Sequence, residues 1–123
     1  MNLTEYLRAA RGRPFRYGRW DCALFSAGWV LERTGRDLTL GIKYTSLREG
    51  REKLTAAGFA DHIAVAASQL LEIPVAQARA GDVAEVEGAL GIVAGERVAV
   101  LARGGVGYVP LLSARRAFRV GAE

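Results

Sequence analysis

The spacing of apolar positions changes character once along the chain, from a helical repeat in the first half to short apolar runs in the second. Leu3, Tyr6, Leu7 and Ala10 share one face and predict a helix over residues 3–11, capped by Asn2 or Thr4 and broken by Gly12 and Pro14. Cys22, Phe25, Ser26, Trp29, Val30 and Arg33 repeat the pattern over 22–34, with Asp21 as N-cap and Thr34-Gly35 as the stop. Ser46 and Glu49 have capping-box spacing and open a helix over about 47–57, closed by Gly58. Asp61 caps a fourth helix, about 62–71, with Ile63, Ala66, Ala67 and Leu70 facing inward, and Pro74 ends the helical half.

From residue 81 onward, valine-, isoleucine- and leucine-rich runs broken by glycine predict strands over 82–86, 90–94, 97–102 and 106–111. Gly95-Glu96 fits a two-residue hairpin turn, Gly104-Gly105 a second tight connection, and residues 117–120 an added edge strand. Helices first and an antiparallel sheet second make an α+β domain. No repeat, linker or low-complexity tract divides it, so residues 1–123 form a single domain. Trp20, Trp29, Phe25 and Tyr17 are expected to build the core around the central helix.

Composition narrows the chemistry. With one cysteine and one histidine in 123 residues, no intramolecular disulfide or conventional zinc cluster can form, and no cofactor is expected. The first residues lack the pattern of a secretory signal and no apolar run reaches membrane-spanning length, so synthesis in the bacterial cytoplasm without membrane insertion is expected. The net charge is +4, and Arg8, Arg11, Arg13, Arg16 and Arg19 all precede Asp21. A basic run of this kind suits phosphates, but no helix-turn-helix, finger or RNA-binding sheet motif accompanies it, and it reads first as a solvated face. Nucleic acid is therefore not an expected partner.

The candidate chemistry lies at Asp21-Cys22. A thiol in the first turn of a helix feels the positive end of the helix dipole, which favours the thiolate a nucleophile needs. A thiol nucleophile also needs an imidazole to stabilise the thiolate and to protonate the leaving group. His62 is the one imidazole available. It begins a predicted helix, and reads first as a helix-start residue and second as a non-standard base.

Phe15-Arg16-Tyr17-Gly18, Asp21-Cys22-Ala23-Leu24, Ala80-Gly81-Asp82-Val83 and Ala89-Leu90-Gly91-Ile92 follow one another in an order that resembles the NlpC-type cell-wall peptidases. These are papain-like cysteine hydrolases that cut peptidoglycan stem peptides. The resemblance spans about residues 15 to 111 and implies a papain-like fold, with N-terminal helices on a C-terminal antiparallel sheet and Cys22 at the nucleophile position. It also implies what has been lost. Ala89 stands where the family carries its general-base histidine, and Phe15 where it usually has a tyrosine. The strand over 97–102, which in the family supplies a polar residue to orient the histidine, is apolar from Val98 to Ala102. Asp-Cys-Ala-Leu-Phe, Tyr44-Thr45-Ser46, Arg-Ala-Gly-Asp, Leu-Gly-Ile-Val and Ala117-Phe118-Arg119-Val120 resemble small phage- and prophage-encoded relatives that commonly lack the histidine. That resemblance implies a virion or particle component, tail-associated, with other particle proteins as partners and peptidoglycan as a further ligand. The resulting expectation is a structural or binding domain in which Cys22 and Asp21 are vestigial. The alternative is an active cysteine hydrolase or acyltransferase using Cys22 with His62.

Overall fold

The computed structural model describes residues 1–121 and bears out an α+β architecture. Four helices, α1 (Leu3–Arg11), α2 (Cys22–Thr34), α3 (Leu47–Ala56) and α4 (His62–Gln69), precede a six-stranded sheet. The strands are β1 (Leu71–Ile73), β2 (Val83–Val86), β3 (Ala89–Ala94), β4 (Arg97–Ala102), β5 (Gly105–Pro110) and β6 (Arg116–Arg119), in the order β1-β6-β2-β3-β4-β5. Every neighbouring pair is antiparallel.

The helix starts follow the caps. Asn2 forms a reciprocal capping box with Glu5, while Asp21, Ser46 and Asp61 accept the N–H groups of Leu24, Glu49 and Ala64. Gly35 ends α2 in the left-handed conformation, φ +77°.

Three expectations are corrected. The fourth helix stops at Gln69 rather than 71, because Leu71–Ile73 leaves it to form β1. Since β1 pairs with the outer side of β6, the last strand lies inside the sheet between β1 and β2 rather than at its edge. Tyr17 is not core: it lies half-buried in a surface groove beside Phe15 and Arg103, whereas Trp20, Phe25 and Trp29 are buried as expected.

The sheet is covered on both faces, which explains why β3 reads as a continuous apolar run rather than an alternating one. On the helical face, Phe25 and Val30 of α2 pack with Leu90, Ile92, Ala99 and Phe118. On the other, Ala84, Val93, Val98 and Ala117 close against Leu111, in a single turn of 3₁₀ helix (Leu111–Ser113), with Val75 from a second such turn (Val75–Gln77). Two polar contacts, one buried and one partly buried, seat α2. Trp29 Nε1 donates to the Gly81 carbonyl at 2.8 Å, and Tyr6 Oη donates from α1 to the Phe25 carbonyl at 2.6 Å. Asp82, 2 % exposed, accepts from the backbone N–H groups of Arg79 and Val120 and pairs with Arg119 at 3.2 Å. The Gly-Asp pair at 81–82 is thus a joint between helix, loop and sheet.

Candidate active site

Asp21 organises the site. Its carboxylate is 3 % exposed and accepts three hydrogen bonds from three parts of the chain: Leu24 N–H (2.9 Å) in α2, Gly18 N–H (3.0 Å) in the preceding loop, and the Tyr44 hydroxyl (2.5 Å) ahead of α3. The loop passes so close that a Cβ on Gly18 would stand 1.8 Å from the Tyr44 carbonyl oxygen, and Gly18 has φ +80°. Sequence reasoning missed Tyr44 as part of this cluster. Its signal is weak, because an N-cap aspartate has a second oxygen to satisfy but nothing local says which residue will reach it.

Cys22 is half-buried at the start of α2, on the wall of a cavity of about 570 Å³. Leu38 and Ile42 from the loop after α2, and Arg51 and Leu54 from α3, line it as well. His62 from α4 and Ala89 and Leu90 from the start of β3 line the same cavity. The structure therefore brings together Asp21, Cys22 and His62, and sets Ala89 facing the cavity that holds the thiol.

The position of His62 combines two roles. It begins α4, as its place after Asp61 dictates, and its ring reaches the sheet, where Nε2 accepts the Leu90 N–H at 3.2 Å. A nitrogen that accepts a backbone N–H carries no proton, so the neutral ring is the Nδ1–H tautomer. The one imidazole of the cavity is thus engaged in holding the backbone of residue 90, next to Ala89.

The electrostatics oppose a reactive pair. Burial pushes the Cys22 thiol above its ordinary range and the Asp21 carboxylate adds to the shift; the first-turn N–H of Ala23 and the Arg51 guanidinium oppose it only in part. Burial pulls His62 below its ordinary value, against the smaller opposing pull of Asp61 and Asp21. A thiolate–imidazolium pair needs the reverse order, an imidazole more basic than the thiolate. Here both groups are driven toward their neutral forms. Burial and the hydrogen bond to Asp21 also push the Tyr44 phenol well above its usual range, so Tyr44 stays protonated as a donor.

Val98, Ala99 and Leu101 of β4 are buried apolar residues. Among the described residues no group of three histidine, cysteine or acidic side chains is placed to hold a metal ion, and no helix is long and apolar enough to cross a membrane.

Residues 1–120 match the model of a protein family described as a domain of unknown function, DUF6950, and the chain belongs to that family. No curated protein and no solved structure matches it significantly.

Proposed function

Starting from that membership, we propose that the chain is a catalytically degenerate papain-like domain related to the NlpC-type peptidases. Its cleft serves binding or assembly rather than hydrolysis. The observation that carries this reading is the state of the would-be dyad. The thiol is raised by burial and by Asp21, the imidazole is lowered by burial, and the imidazole Nε2 is committed to the Leu90 N–H. Asp21 is spent as well, on an N–H of the helix, an N–H of the loop and the Tyr44 hydroxyl. A cysteine hydrolase needs those groups free to move protons. Their use as internal braces suits a cleft kept for its shape.

The setting we propose is a phage or prophage gene product, associated with the virion tail and contacting other particle proteins. It rests on the motif wording of the sequence. A peptidoglycan stem peptide is the ligand to try first in the cleft. The second reading, a hydrolase or acyltransferase using Cys22 with His62, is favoured by one observation: both residues line a single cavity.

Turnover decides between them. The intact chain and a Cys22→Ala variant are incubated with a stem-peptide fragment and with a peptide thioester, and products are followed by mass spectrometry. The proposal expects no product beyond the buffer rate from either protein. Hydrolysis or acyl transfer by the intact chain that vanishes in Cys22→Ala would establish the second reading.

A further inference from the structure

Beside the cleft, the fold brings Arg97 and Arg103 to the arginine run that precedes Asp21. Arg103, in the turn between β4 and β5, lies with its guanidinium 5.7 Å from the centre of the Tyr17 ring. Tyr17 meets Phe15 edge-on at 5.1 Å, and these three residues with Arg16 and Thr45 form an open groove of about 340 Å³. Further along the β5 edge of the sheet, the Tyr108 hydroxyl accepts from Arg11 at 3.2 Å, and Arg97 lies over the Tyr108 ring at 5.1 Å. Arg13 stacks on Trp20, 3.9 Å from its ring centre.

Among the described residues none of Arg11, Arg13, Arg16, Arg97 and Arg103 forms an ion pair, whereas Glu32, Glu49, Glu52 and Glu72 are each taken by another cation. All five arginines are exposed. Guanidinium groups without counterions, interleaved with the half-exposed rings of Phe15, Tyr17 and Tyr108, match a polymer that alternates phosphate with a planar base.

We propose that this arginine–aromatic strip, running from the 15–17 loop to β5, binds single-stranded nucleic acid. Arg11, Arg16 and Arg103 contact phosphates, and the groove between Tyr17, Phe15 and Arg103 takes an unstacked base. A duplex fits less well, because its bases are not free to enter the groove. An acidic protein would meet the charge but leave the rings without a planar partner. The strip meets the Cys22 cleft at Tyr17, which lines both, while Arg11, Arg16 and Arg103 lie outside the cleft lining.

The test is fluorescence anisotropy of labelled oligothymidylate and oligouridylate against the full chain over a salt series, with a duplex of equal length alongside. At low salt at least one single strand is expected to bind, and more tightly than the duplex. The logarithm of affinity should fall with log salt at about −0.7 per phosphate neutralised, a slope of about −2 for the three arginines on phosphates. Arg11→Gln, Arg16→Gln and Arg103→Gln together should weaken binding by about tenfold or more and flatten the slope by about 2. Tyr17→Ala should cost about fivefold or more while leaving the slope unchanged, since a stacking contact releases no counterion. Circular dichroism checks that the variants remain folded. Absence of binding at low salt, equal binding of the duplex, polyglutamate competing as well as unlabelled oligonucleotide, or a Tyr17→Ala variant as tight as the original would overturn the proposal.

Discussion

Asp21 shows how one side chain can settle the chemistry of its neighbour. Its carboxylate satisfies the free N–H of the α2 terminus, anchors the loop at Gly18 and holds Tyr44, all within one buried cluster. The same negative charge, adjacent to Cys22, disfavours the thiolate. The Asp-Cys pair is therefore a structural brace that works against nucleophilicity. Substituting Asp21→Asn keeps the shape but removes the charge and disturbs the donors aimed at it. Denaturant unfolding is expected to register a loss of about 1–3 kcal/mol, the range for disrupting a buried charged hydrogen-bond acceptor. In the same variant the pH profile of Cys22 alkylation should move to lower pH. An unshifted profile would mean that Asp21 does not govern the thiol.

At the scale of elements, α4 and β3 are coupled through His62. Because the ring must be neutral to accept the Leu90 N–H and burial lowers its pKa, the unfolded chain binds the His62 proton more readily than the folded one. Stability from this contact is complete above the unfolded value of about 6.5 and falls as pH drops from there through the folded pKa. Replacing His62→Gln, whose amide oxygen can accept the same N–H, should flatten that part of the stability–pH curve relative to the original chain. Equal slopes in thermal melts of the two proteins below pH 6.5 would show that the ring does not titrate with folding. The position of Ala89 leads to another expectation. As Ala89 and Cys22 share a cavity wall, Ala89→His puts a second imidazole beside the thiol, and Cys22 should alkylate faster near neutral pH. An unchanged rate would break the alignment of residue 89 with the family's histidine position.

Across the whole molecule, what the sequence carried legibly was whatever is encoded locally. Asp21, Ser46 and Asp61 announced their helices, and the apolar runs their strands. Leu71–Ile73 was hidden because a three-residue strand has no period to recognise, and only pairing with β6 makes it one. The reach of His62 to β3 was hidden for a related reason: a cap specifies where a helix begins, not which strand its first side chain will touch. The arginine run of residues 11–16 was legible, but Arg97, Arg103 and Tyr108 of the β4–β5 hairpin join it only after folding. The resulting picture is an α+β scaffold whose polar groups brace one another around a cleft, with a basic face that meets the cleft at Tyr17.

The pH dependence of Cys22 alkylation by iodoacetamide in the unmodified chain tests the central claim most directly. A thiol raised by burial and by Asp21 should react slowly at neutral pH, its rate climbing through an apparent pKa above the ordinary thiol range. A rate already at its plateau below pH 7, lost when His62 is replaced, would reveal a thiolate–imidazolium pair and contradict the account.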